Sequence, residues 1–201
     1  MALLSRVADR MYWAARYIER AEDSARVLRA YGDVLADLPT GSTRWSPLVT
    51  ISGNGVKLPA VSGSDESQVA QFLIAEREHP DSILNAVDRS RDDLRTCREV
   101  LPREAWQTIN DLSIYVRGAA VTSVERRRRD RFLTRVIDES RRLDGLLQSK
   151  MTRDEVFDMW RLGRYIERAD MTTLELGGRA ATRRSLRVGA VERCGEVLGV
   201  G

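Results

Sequence analysis

A single histidine, His79, and two distant cysteines, Cys97 and Cys194, leave this chain of 201 residues poor in nucleophilic and metal-binding chemistry. Ser-His or Cys-His catalysis would have to pass through His79, and neither cysteine stands in a recognisable motif. Glu76-x-x-His79 supplies half of a di-iron carboxylate motif, but no other histidine exists for the second half. His79 also precedes Pro80, which makes it a helix-end or surface histidine. No metal and no cofactor is expected. A glycine-rich phosphate loop is missing too, since Gly53-Asn54-Gly55 lacks both the lysine and the strand-helix context. Apolar runs fall short of membrane-spanning length, and Arg6, Asp9 and Arg10 interrupt the first turns where a signal peptide would be apolar. With no disulfide framework indicated, a cytoplasmic protein is expected, away from the membrane.

What the chain does contain favours helices. Hydrophobic residues make up 42% and charged residues 31%, with a net charge of only +3. That charge is carried mostly by arginines interleaved with acids, the pattern of ion-paired helix surfaces rather than of a nucleic-acid-binding face. The densest basic run, Arg126-Arg127-Arg128-Arg129 with Arg131, has no interleaved aromatics, and Asp130, Asp138 and Glu139 lie close to it. A solvated helix face or a partner contact is expected there, with no nucleic acid.

One hexamer is written twice. Arg16-Tyr17-Ile18-Glu19-Arg20-Ala21 recurs as Arg164-Tyr165-Ile166-Glu167-Arg168-Ala169. Around it, Tyr12 answers to Trp160, Glu22 to Asp170 and Ser24 to Thr172. So specific a repeat in helix-forming surroundings predicts two pseudo-equivalent helices in an all-α helical bundle.

The first helix carries an apolar seam of Leu4, Val7, Met11, Ala14, Ile18, Ala21, Ala25 and Leu28, and is expected to run to about Leu38 before Pro39. Tyr12, Arg16, Glu19 and Asp23 form a second stripe roughly opposite, flanked by Trp13 and Arg20. On this reading the repeated element is a surface rather than a core filler. Residues 39–67 form a long connection with one packed turn anchored by Trp45, Leu48 and Ile51. Further helices follow: one capped by Asp65 or Ser67 and stopping at His79-Pro80, one capped by Asp81 or Ser82, one opened by Pro102 and bent or ended near Gly118, and one over about 125–148. Thr152-x-x-Glu155 is a capping box for the second motif helix, whose seam is Val156, Met159, Leu162, Ile166, Ala169 and Thr173. Beyond Leu176 the periodicity weakens into an irregular stretch, 177–201.

Taken together, these segments resemble the bacterial alpha-E domain family, an all-helical domain with a Glu-Arg motif. The likeness rests on Leu3-Leu4-Ser5-Arg6-Val7-Ala8, Tyr12-Trp13 and the first hexamer, then on residues 76–84, Pro102-Arg103-Glu104-Ala105-Trp106, Asn110-Asp111-Leu112 and residues 162–172. It covers most of an expected domain at 1–176. Members of the family continue in further helices, so the different character of 177–201 implies a truncated or out-of-frame end. The resemblance further implies association with an ATP-grasp-type ligase and transglutaminase-like peptidases, hence with making or modifying peptide-like amide bonds.

Arg16, Glu19, Arg20, Arg164, Glu167 and Arg168 are the candidate site, with Tyr12, Trp13, Asp23, Trp160 and Asp170 in support. Arginine forks there could hold the carboxylate or phosphate of a ligand or partner. Against that stands an ion-pair lock between two helices, the commoner role for such networks. For the aromatics, packing is likewise preferred to ligand stacking. No complete catalytic set is present. An accessory domain that binds a partner enzyme or a peptide substrate, without independent activity, is therefore the leading expectation. The alternative is an enzyme subunit holding a peptide or amino-acid ligand in a Glu/Arg cleft.

Overall fold

A computed structural model describes residues 2–36, Trp45, Leu48 and 66–173, with side chains from Ser5 onward. Helix α1 spans Ala2–Ala36, α2 Glu66–Ile74, α3 Ile83–Thr96, α4 Arg103–Ala119 and α5 Arg126–Lys150. A 3-10 turn, Val121–Val124, joins α4 to α5. The last described helix, α6, covers 155–173. No strand occurs among the described residues.

Helices α1, α3, α4 and α5 enclose the core, each packing on the next and α5 returning to α1. Met11, Ala14, Ile18, Ala21, Ala25 and Leu28 of α1 are buried, as the seam predicts, with Ala15 buried beside them and Val7 half-buried. Its alanines let α3 come close enough for the Ser90 hydroxyl to donate to the Ala14 carbonyl at 2.9 Å. Phe132, Leu133, Val136, Ile137 and Leu143 face inward from α5. Ile109, Leu112 and Val116 do so from α4. Trp45 and Leu48 join the core, Trp45 against Tyr31 at 5.6 Å between ring centroids. The other residues of 37–65, Ile51 and Asp65 included, and those after 173 lie outside the described residues.

Several helix ends differ from expectation for identifiable reasons. Helix α2 begins at Glu66, ahead of Ser67, and stops at Ile74, well short of His79. The amides of Ala75 and Glu76 both turn back to the Gln71 carbonyl. The following turn is then held by one side chain: Asn85 donates to the carbonyls of Glu76, Arg77 and His79 at 3.2, 3.0 and 2.7 Å. Ser82 caps α3 through the Asn85 amide, as expected. Helix α4 passes through Gly118 and ends one residue later. At the start of α6 the cap is Asp154, which accepts from the Phe157 amide at 3.1 Å, and not Thr152. A carboxylate placed directly before the first turn satisfies a free amide there.

The larger correction concerns which way the motif faces. On α6 the inward residues are Val156, Phe157, Trp160, Gly163, Arg164, Glu167 and Met171. Leu162, Ala169 and Thr173, expected in its apolar seam, are exposed, and Met159 and Ile166 are half-buried. On α1, Glu19 and Asp23 are buried alongside the apolar seam. The repeated element therefore lies between helices rather than on a free face.

Gly163 sits where α6 touches α1. A Cβ there would collide with the Tyr12 carbonyl oxygen and approach the Ala15 Cβ to 2.9 Å. Backbone cannot yield as a side-chain tip can, so Gly163→Ala is expected to destabilise the protein by roughly 1–3 kcal/mol, the range for an overpacked core. Urea unfolding checks this, and an unchanged midpoint would show that the two helices separate freely.

A buried Glu-Arg exchange between two helices and the cavity beside it

The two motif copies exchange partners. Arg16 Nε donates to Glu167 at 2.7 Å, and Arg20 grips the same carboxylate through Nε at 2.6 Å and a terminal nitrogen at 3.1 Å. In return, Arg164 Nε donates to Glu19, and Arg168 Nε does so at 2.8 Å. The acids that follow each motif are used alike, Asp170 accepting from Arg16 at 2.6 Å and Glu22 from Arg164 at 3.1 Å. All six principal candidate residues are therefore used, in two reciprocal clusters between the same two helices. A helix presents residues four apart on one side, so the first and fifth positions of each hexamer reach the same opposing carboxylate.

The two halves have different surroundings. Glu19 is 0% exposed. Its partner Arg164 also lies 2.9 Å from Asp144, close enough for an ion pair although not aligned as a hydrogen bond. Asp144 in turn accepts from the Trp160 indole at 3.0 Å, and Glu22 from Arg141 at 2.9 Å. In this half Glu19, Glu22 and Arg164 are buried, while Arg168 and Arg141 remain exposed. Glu167 is only 2% exposed as well. Yet together with Arg16, Arg20 and Asp170 it lines a cavity of about 320 Å³. His79 and Asp81, which the turn before α3 brings there, also line it, and Arg20 donates to Asp81.

His79 is neither a surface nor a capping residue. It is 3% exposed and stacks on Phe72 at 4.1 Å with an interplanar angle of 10°. Burial pushes its pKa down, against the opposing pull of Asp81 and Glu76. Its Nδ1 is buried without a hydrogen-bond partner among the described residues. Neither His79 nor Asp81 was legible as part of a site. The one available signal was the order His-Pro-Asp-Ser, in which the proline turns the chain back just before a helix cap.

The supporting aromatics divide. Trp160 is fully buried and holds Asp144, whereas Trp13 is 40% exposed and stacks on Tyr17 at 6.0 Å. Arg16 lies 6.0 Å from the ring centroids of both Tyr12 and Trp13, with Tyr12 also accepting its hydrogen bond at 3.2 Å. Away from this network, Arg126, Arg127, Arg128 and Arg131 are exposed. Arg129 departs from the solvated-face expectation: it is buried, pairing with Glu66 at 2.7 Å and donating to the Val124 carbonyl at 2.6 Å.

A family model described as a predicted alpha-helical domain with a conserved ER motif matches residues 3–195. The chain belongs to the Alpha-E family. The matched span continues beyond Leu176, where the residue-level resemblance stops. Comparison with curated proteins and with solved structures gives no match. Among the described residues, no helix is long and apolar enough to cross a membrane, and no cluster of metal-ligating side chains occurs.

For this Alpha-E chain the retained partners set the cost of removing either glutamate charge. Glu19→Gln leaves Arg164 with Glu22 and Asp144, so its cost should stay below the about 3–5 kcal/mol of an unpaired buried charge. Glu167→Gln should behave alike, because Arg16 retains Tyr12 and Asp170 while Arg20 retains Asp81. Chemical denaturation of the two variants checks this, and a loss above that range in either would contradict it.

Asp23 gives a pH dependence. Burial first, and then the neighbouring Glu19, raise its carboxyl to about 7 from an ordinary value of 3.8. Its Oδ2 is buried without a hydrogen-bond partner among the described residues. The folded state thus holds a proton that the unfolded chain releases near pH 4, so stability falls as pH rises from about 4 to 7. Asp23→Asn should flatten that fall and leave the protein more stable at pH 8, by roughly 4 kcal/mol at most. Urea midpoints recorded from pH 4 to 8 test it; an unaltered slope would assign the titration to another group.

Proposed function

We propose that this Alpha-E chain is an accessory helical domain that binds a peptide or a partner enzyme in a bacterial amide-bond-forming or peptide-modifying system. An ATP-grasp-type ligase and a transglutaminase-like protein are the partner classes. One observation carries the binding role: the Glu167 half of the Glu-Arg network borders a cavity of about 320 Å³. A network serving only to join two helices has no need of a cavity at one of its carboxylates. The Glu19 pairing holds α6 to α1, and the Glu167 pairing also presents a polar wall to the cavity.

The enzyme-subunit alternative is favoured by one detail, since Ser24 and His79 both line the cavity. Nucleophilic activation requires the hydroxyl and the imidazole within hydrogen-bond reach. His79 Nδ1 has no such partner among the described residues, and Glu167 already accepts three hydrogen bonds from arginines. Binding without independent turnover is the better reading.

Co-elution of the purified chain with an ATP-grasp-type ligase, and separately with a transglutaminase-like protein, from the same bacterium tests the accessory role. Complex formation with one of them is expected, weakened by Arg16→Lys, which keeps the charge but loses the fork. Circular dichroism should show that the variant stays helical. Failure of both proteins to co-elute with the wild type would remove the assignment.

A further inference from the structure

The arginine run at the start of α5 divides by direction. Arg129 is turned inward, held by Glu66 and by the Val124 carbonyl, which fixes the rotation of the first turns. Arg127, Arg128, Arg131 and Arg135 are exposed. At the pitch of an α-helix these four fall within roughly 100° of the circumference and about 12 Å of the length, while Arg126 falls outside that sector. Few partners inside the chain meet them. Arg135 lies over the Tyr115 ring at 4.0 Å, and Arg128 has Glu125 at 3.6 Å, beyond hydrogen-bond reach. Arg127 and Arg131 have no carboxylate partner among the described residues. Asp130, next to Arg131 in the chain, is engaged from α1 by Arg29 at 3.2 Å.

This placement carries a local electrostatic cost. Arginines four residues apart, as Arg127 is from Arg131 and Arg131 from Arg135, repel along a helix. Cations in the first turns also oppose the helix dipole. No acid stands in the first turn of α5 to offset them, and Glu125 at its cap makes no side-chain capping bond. A run that breaks two local rules without compensation inside the chain points to compensation from outside it.

We infer that this face of α5 docks an acidic polypeptide segment, its carboxylates spaced to meet Arg127, Arg128, Arg131 and Arg135. The boundary of the patch selects that occupant over a continuous polyanion. Asp138 and Glu139 follow Arg135 within about one turn, and Asp130 lies beside the sector. A DNA duplex carries a charge for about every 1.7 Å of its axis. A duplex or an anionic bilayer extending past the arginines therefore meets these acids as well. Carboxylates on a partner chain can stop where the arginines stop, and guanidinium forks match them in pairs of hydrogen bonds. None of these arginines lines the cavity, so the inference stands apart from the binding role proposed above.

Fluorescence anisotropy with the full chain at low ionic strength tests this against labelled probes. These are a helical peptide with glutamate at every fourth position, its glutamine counterpart and a short DNA duplex; sedimentation adds vesicles containing phosphatidylserine. Binding of the glutamate peptide alone is expected, weakening as salt is added. Arg127→Gln with Arg131→Gln should lower its affinity roughly five- to tenfold, the loss of two exposed ion pairs. Arg95→Gln with Arg103→Gln removes the same charge at exposed positions elsewhere and should leave the affinity unchanged. The first double variant should also unfold at an equal or higher urea concentration, because it relieves repulsion. A lower midpoint would give these arginines a structural role and count against docking. Equal losses in both double variants would reduce the effect to net charge and overturn the assignment. So would binding of the duplex or the vesicles as tightly as the peptide, or no binding of the peptide at all.

Discussion

Glu19, closed off from water between Arg164 and Arg168, is the constraint around which the rest of this structure is arranged. A carboxylate can be buried only if the charges opposing it are fixed and well aligned. Fixing them requires α6 to lie against α1 at one register, and Gly163 at the contact allows the backbones that close. Once α6 is seated there, Glu167 is delivered to Arg16 and Arg20. The remainder of the bundle, α3, α4 and α5, holds α1 in place through an ordinary apolar core.

The same exchange of partners gives two chemically different places. Around Glu19 the neighbouring acids Glu22 and Asp144 are taken up by Arg164, Arg141 and Trp160. Around Glu167 the neighbours come from a turn instead of a helix, and a turn does not fill volume as a packed helix does. Asn85 fixes that turn by gathering three of its carbonyls, so the cavity wall is shaped by hydrogen bonds rather than by apolar packing. His79 is held there by Phe72. Both copies join α1 to α6, and one of them also borders the cavity.

Much of this was legible in order of residues. The apolar spacing of α1, the Ser82 cap and the inward residues of α4 and α5 follow from local rules, since helical periodicity and capping depend on neighbours a few positions away. The six motif residues stood out through their repetition alone. What misled was the assumption that charge marks the outside: α6 buries Arg164 and Glu167 and exposes Leu162. Periodicity identifies a stripe, and it does not say which stripe finds a partner.

By itself, then, the sequence determined that the chain is helical, that it resembles a helical family with an ER motif, and that six charged residues recur in two hexamers. Tertiary structure alone decided that each glutamate pairs with the arginines of the other copy, across nearly 150 residues of chain. It also decided that the Glu167 pairing borders a cavity lined by His79 and Asp81 as well. The reason is physical. Helix formation is governed by contacts within a turn or two, whereas the environment of a buried charge is set by whatever the fold brings opposite it, and identical hexamers can meet unlike neighbours.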